Sequence, residues 1–336
     1  MLFQNFVLAS LAATFAAASP IHKHHEHKRA VETVYVTVGD VQKAAAPTAA
    51  PAAPATSATA SAAPSSSASS DSSSNSGSSG VGASGAKGVT YTPYTTGPCK
   101  TADQVKSDIA KLSGFDIIRL YGVDCNQVEN VLSAIGDNQK VILGVFNVDN
   151  LDSELNTLIS AVQAHGGWSK VDTVTIGNEL VNSGQKSAGA IKGYVNKAKG
   201  ILQGAGYNGP VTTVDTFIAT INNPELCDAG DYVAINAHAF FDGGYAADQA
   251  GEWLLGQIQR VATACPGKRV FVTESGWPSQ GSANKKAVPS KENQQAAINS
   301  IKQSCGDDTV LFSAFNEEWK QDSGATFGAE KYWGIF

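Results

Sequence analysis

The sequence predicts an α/β fold: a (β/α)8 TIM barrel over residues 88–336, preceded by a disordered Ser/Ala/Pro-rich N-terminal stalk. Three features point there. From Gly88 the composition turns globular and stays so for about 250 residues, the usual size of such a barrel. Eight short apolar runs alternate with helical segments, which implies a parallel sheet covered by helices. The rival is an open doubly wound sheet, but no Gly-x-Gly-x-x-Gly follows the first run.

Residues 1–19 read as a secretory leader: an apolar run, Phe6–Ala18, too short to span a bilayer, then small residues suited to a signal peptidase. Residues 20–29 read as a short propeptide. Four of the six histidines fall in His22–Arg29, a composition that can bind metal, but the dibasic pair Lys28-Arg29 is expected to release them by proteolysis. Residues 30–87 form a linker. Val31–Val38 is β-prone but isolated. Ala44–Lys87 has almost no apolar side chains with which to offset chain entropy, so it is expected to be disordered and O-glycosylated. No Asn-x-Ser/Thr occurs, so N-glycosylation is not expected. The final Trp-Gly-Ile-Phe lacks the spacer and tail of a lipid-anchor signal, and no membrane attachment is expected after leader removal.

Within the barrel the expected strands are Val89–Thr92, Ile117–Tyr121, Val141–Phe146, Val171–Gly177, Val211–Val214, Tyr232–Asn236, Val270–Thr273 and Val310–Phe315. Helical segments between them include Ala102–Lys111, Glu154–Ala164, Ile191–Gln203, Trp253–Ala264 and Lys291–Gln303.

Charge is modest, 24 Lys+Arg against 30 Asp+Glu for a net −6, which disfavours nucleic acid as a partner and suits a neutral polymer. None of the five cysteines lies in a Cys-x-x-Cys pair, so no zinc site is expected, and no cofactor motif appears. Disulfides are the default in a secreted chain. Sequence does not fix their connectivity; Cys99–Cys125 and Cys265–Cys305 are the favoured pairs, and the odd count leaves at least one thiol over.

The chemistry lies at two strand ends. Val171–Glu179 (VDTVTIGNE) and Arg269–Ser279 (RVFVTESGWPS) each run from an apolar strand into a glutamate. Functional groups of a (β/α)8 barrel sit at the C-terminal ends of its strands, and strands four and seven face each other across the mouth. Strand alternation puts Glu274 with Val272 and Val270, and Glu179 with Gly177 and Thr175, so both carboxylates are expected to point inward. Two carboxyls held about 5 Å apart suit retaining cleavage of a glycosidic bond, one attacking and the other protonating. Their mutual repulsion raises one pKa and makes that group the acid. Around them, Asn178 is placed to bond a sugar hydroxyl, Tyr121 to approach the nucleophile or the sugar, and Asn236 and His238 to line the site from strand six. Trp277 offers a stacking face, with Phe240 and Phe241 as further cleft candidates.

The run GVTYTPY, RLYGVDCNQVENVL, TIGNELVN, VDTFIATINNPELC, NAHAFFD, TESGWPSQG, AFNEEWK and EKYWGIF spans nearly all of residues 88–336. It resembles glycoside hydrolase family 17, most closely the fungal soluble-cell-wall mannoprotein branch. That resemblance implies a retaining hydrolase or transferase on β-1,3-glucan, with Glu179 as acid/base and Glu274 as nucleophile. It also implies a polar network of Glu317, Lys320 and Glu330, in which Lys320 would hold Glu274 ionised. Its further implications are a secreted cell-wall location and β-1,3-glucan or another wall β-glucan as partner; the chain itself is expected to be a monomer. The alternative is a non-enzymatic wall mannoprotein with a structural or adhesive role.

Overall fold

A computed structural model describes residues 85–336. The expected leader, propeptide and most of the linker lie outside the described residues. Eight parallel strands close in chain order into a barrel: β1 (Gly88–Thr90), β2 (Ile117–Arg119), β3 (Lys140–Val145), β4 (Val171–Asn178), β5 (Val211–Thr216), β6 (Val233–Asn236), β7 (Val270–Ser275) and β8 (Thr309–Leu311). Gly88 and Val89 of β1 pair with Val310 and Leu311 of β8, which removes both sheet edges. The helices are α1 (Ala102–Lys111), α2 (Gln127–Ala134), α3 (Leu151–Ala164), α4 (Ala188–Gly204), α5 (Phe217–Asn222), α6 (Ala239–Asp242), α7 (Ala250–Ala264) and α8 (Lys291–Cys305). None among the described residues is long and apolar enough to cross a membrane.

Local sequence explains the helix starts. Thr101 caps α1, accepting from the Gln104 N–H while the Gln104 side chain returns to the Thr101 N–H. Ser187, Thr216 and Ser290 cap α4, α5 and α8 with one bond each, their hydroxyls accepting from the N–H groups of Ala190, Ala219 and Asn293. Helix α8 then buries Gln294, Ala297, Ile298 and Ile301, a three–four spacing that lays one face on the barrel.

The core has two layers. The larger packs strands against helices and includes Val174, Ile176, Val270 and Val272. The smaller fills the barrel with Ile117, Ile142, Val214, Tyr232, Ala234, Phe271 and Val310. Toward the C-terminal ends the interior turns polar, with Arg119, Asn236, Thr273 and Glu274 all buried. β8 is shorter than the apolar run Val310–Phe315 suggests, because from Phe312 the chain leaves the sheet for the barrel mouth.

Of the two favoured disulfides, Cys99–Cys125 is present and Cys265–Cys305 is not. Cys265, at the end of α7, pairs with Cys227 in the turn before β6, their Cα atoms 5.3 Å apart. Cys305 ends α8 as a half-buried free thiol that donates to the Ile301 carbonyl.

Candidate active site

Strict alternation would turn Glu274 away from the barrel axis. It has the parity of Val270 and Val272, which pack against the helices, whereas Phe271 fills the interior. A bulge reverses this. Ile235 pairs with Val272 but the next β6 residue, Asn236, pairs with Glu274, so Thr273 is an extra residue on β7. Thr273 and Glu274 are thereby both directed to the interior network: Thr273 Oγ1 donates to Asn236 Oδ1 at 2.8 Å, and Glu274 meets Arg119. β4 carries a matching bulge, since Thr175 pairs with Thr212 and Asn178 with Val214. Its pivot is Gly177 at φ +74°, where a Cβ would lie 2.7 Å from Leu180 Cδ1. Glu179 follows at φ +54°, a left-handed conformation that costs a non-glycine residue and is found where function over-determines it.

Both carboxylates line one cleft of about 700 Å³ at the barrel mouth. Glu274 Oε1 accepts from Arg119 Nη1 at 2.8 Å and from the Tyr121 hydroxyl at 2.7 Å; Oε2 lies 3.3 Å from His238 Nε2. Burial alone would raise its carboxyl, but Arg119, His238 and Tyr121 outweigh burial and hold it at about 2. Among the described residues Glu179 makes no ion pair, and the only positive charge acting to lower it is that of His238, at a distance. Burial, with the charge of Glu274 added, raises its carboxyl above the ordinary range, against a bond from Asn236 Nδ2 at 2.8 Å. Burial and the charge of Glu274 likewise push the Tyr121 phenol up, keeping it a donor.

Asn178 lines the cleft and accepts from Arg119 Nη2 at 2.9 Å. Asn236 lies beneath the cleft, not on it, and reaches a substrate only through Glu179 and Asn178. His238 lines the cleft among the rings of Phe241, Phe312 and Trp333. Glu317, Lys320 and Glu330 are brought together: Lys320 Nζ lies 2.8 Å from Glu317 and 3.5 Å from Glu330. Lys320 is not the group bonded to Glu274, however. That place belongs to Arg119, fully buried, whose guanidinium also stacks 4.5 Å from the Tyr121 ring centre. A lone Arg in the apolar run of β2, two residues before Tyr121, is the signal that finds it.

Trp277 is not at the site. It is fully buried, packs edge-on against Phe240, and donates its indole N–H to the Val288 carbonyl. Gly276 backs onto the Phe312 carbonyl with no room for a Cβ, which turns the chain into the core at that point. Phe240 is buried too, while Phe241, Trp333, Trp319 and Phe146 supply the aromatic lining. Among the described residues no cluster of three or more His, Cys, Asp or Glu could hold a metal ion.

Residues 88–334 match the BtgE/BtgC glycoside hydrolase domain. Cell surface mannoprotein MP65 of Candida albicans is 57% identical over 249 residues, 74% of this chain and 65% of that protein. Probable family 17 glucosidase SCW4 of Saccharomyces cerevisiae is 56% identical over 248 residues, 73% of this chain and 64% of that protein. The chain therefore spans less than two thirds of the length of either relative. Among solved structures, a glycoside hydrolase family 17 beta-1,3-glucanosyltransferase from Rhizomucor miehei is similar with a TM-score of 0.65 and 25% identity, covering 76% of this chain and 94% of that one. The chain belongs to glycoside hydrolase family 17, in the branch that carries the BtgE/BtgC domain.

Proposed function

We propose that this protein is a secreted, retaining β-1,3-glucan hydrolase or glucanosyltransferase that remodels a cell wall, with Glu274 as nucleophile and Glu179 as acid/base. The observation that carries this reading is a pair of carboxyls set differently in one cleft: Glu274 bonded to Arg119 and Tyr121, which lower its carboxyl, and Glu179 buried beside the charge of Glu274, which raises its own. Glu274 Oε1 is occupied by Arg119 and Tyr121. Oε2, with only His238 near it, is the oxygen free to attack the anomeric carbon. As that bond forms, Glu179 delivers its proton to the departing glycosidic oxygen, leaving a glycosyl ester on Glu274. Glu179, now a base, deprotonates the acceptor that cleaves the ester. Water gives hydrolysis and a sugar hydroxyl gives transfer. The substrate class is supported by relatives named a cell surface mannoprotein and a probable family 17 glucosidase, and by the fold neighbour named a beta-1,3-glucanosyltransferase.

The test is incubation with soluble β-1,3-gluco-oligosaccharides, followed by mass. Shorter products report hydrolysis and longer ones transfer. Binding without any product would overturn the enzymatic reading in favour of a structural or adhesive wall protein. Glu179→Gln is expected to lower kcat/KM on natural glucan about 10²–10⁴-fold while sparing kcat/KM on an aryl glycoside whose leaving group needs no proton; kcat on the aryl glycoside still falls, because the acceptor step has lost its base. Full activity of that variant on natural glucan would remove Glu179 from the acid role.

A further inference from the structure

Phe146 is, at 55%, the most exposed large apolar side chain among the described residues, and it stands in the wall of the cleft. Standing in a cleft rather than alone on the open surface, that ring offers apolar area to whatever the cleft binds. Phe146 follows directly on β3, and the last β3 residue, Val145, pairs with Ile176 of β4, the strand that Glu179 follows. The backbone beneath it is fixed. Glu154 of α3 accepts the Asn147 N–H at 3.2 Å, and the Asn147 side chain accepts the Asp149 N–H at 3.1 Å.

The floor beside the ring is left open by Gly122, where a Cβ would sit 3.2 Å from Asp124 Oδ1 and 3.7 Å from Phe146 Cβ. Asp124 and Glu154 line the same stretch of cleft. Asp124 is held in place: its Oδ1 accepts from the Tyr94 hydroxyl and from Gln127 Nε2, both at 2.7 Å. Phe241, the other exposed ring of the cleft, leans on Trp333 and His238. Phe146 has no such ring neighbour among the described residues, and more than half of it is exposed.

A β-linked glucopyranose carries its hydroxyls equatorially and so presents flat C–H faces, which stack on an aromatic ring while the rim hydroxyls donate to carboxylates. We propose that Phe146, flanked by Asp124 and Glu154, is a sugar-binding platform that holds a glucan residue away from the bond being cleaved and so sets the preference for longer chains. The inference rests on the glucan reading of the cleft and adds a subsite to it. Among the described residues no hydrogen bond or ion pair of Glu179 or Glu274 involves Phe146, so its effect is expected in binding and not in the chemical step.

The experiment compares wild type, Phe146→Ala and Phe146→Trp on β-1,3-gluco-oligosaccharides from the disaccharide to the hexasaccharide. In Phe146→Ala, KM for the long oligosaccharides is expected to rise roughly five- to tenfold with kcat unchanged, the scale of one lost stacking contact. KM for the disaccharide should stay put. Phe146→Trp should restore the long-chain KM, which separates a stacking role from a general disturbance of the loop. Equal KM values for Phe146→Ala and wild type at every length would overturn the platform while leaving the enzyme reading intact. A wild type that turns over no oligosaccharide would overturn both.

Discussion

At the scale of single residues, the site depends on one buried cation. Arg119 is fully enclosed, and its two Nη groups donate to Glu274, Asn178, Asn236 and the Thr273 carbonyl. Burying such a pair costs desolvation, and removing one partner strands the other charge. Arg119→Met is therefore expected to lower folding stability by about 3–5 kcal/mol, read from urea unfolding at neutral pH. The pH dependence follows with a definite sign. Glu274 titrates at about 2 in the folded chain against an ordinary 4.5. Its contribution to stability is thus present above the ordinary value and is lost as pH falls from there toward 2. In kcat/KM the acid limb should lie near that low value and move up in Arg119→Met, because Glu274, the proposed nucleophile, then protonates more easily. With Glu179 in the proposed acid role, the opposite limb is expected from its raised carboxyl, which must keep its proton, so activity should fall as pH rises through it. An acid limb that stays in place in Arg119→Met would show that His238 and Tyr121 suffice to ionise Glu274.

At the scale of elements, the two bulges decide which way the carboxylates face. That each glutamate ends a strand was legible from the apolar runs before it, and so was the barrel, because eight such runs alternate with helical segments. The facing was not. Period-two reading assigns Glu274 to the side of Val270 and Val272, and these pack outward. An inserted residue is a property of pairing between strands, which one strand's own pattern does not encode. On β4 the only local trace is Gly177, whose φ of +74° suits glycine. Trp277 fails for a related reason: an aromatic next to a site reads alike as wall or core, and the close approach of Gly276 to the Phe312 carbonyl sends it into the core. Gly177→Ala tests the β4 bulge. The left-handed backbone penalty of about 1–2 kcal/mol adds to the contact with Leu180, so the midpoint of unfolding should drop. Because Asn178 and Glu179 come next, kcat should fall as well, in the surviving folded fraction. A destabilised variant with wild-type kcat would mean that Glu179 finds its place without the bulge.

At the scale of the molecule, the barrel divides labour between its two ends, and the disulfides follow that division. The C-terminal ends of the strands carry the cleft, and Cys99–Cys125 ties the segment after β1 to the segment after β2, next to cleft residues Tyr94 and Asp124. Cys227–Cys265 lies at the other end, joining the segments that lead into β6 and β7. The free Cys305 is there too, just ahead of β8. Linear spacing could not choose between Cys227 and Cys305 as the mate of Cys265, since the segments entering β6 and β8 both flank the one entering β7 around the barrel. A crosslink between residues 38 apart in sequence restricts the unfolded chain by an amount worth about 3–4 kcal/mol. Cys227→Ser is accordingly expected to lose stability on that scale while keeping kcat and KM, because the bond is remote from the cleft. Cys305→Ser, which removes no crosslink, should change stability by less than about 1 kcal/mol. Alkylating the denatured, unreduced chain and mapping the modified peptide should find Cys305 labelled and Cys227 protected. Label on Cys227 would mean that Cys265 pairs across to β8 instead, and the outer shell at that end would have to be redrawn.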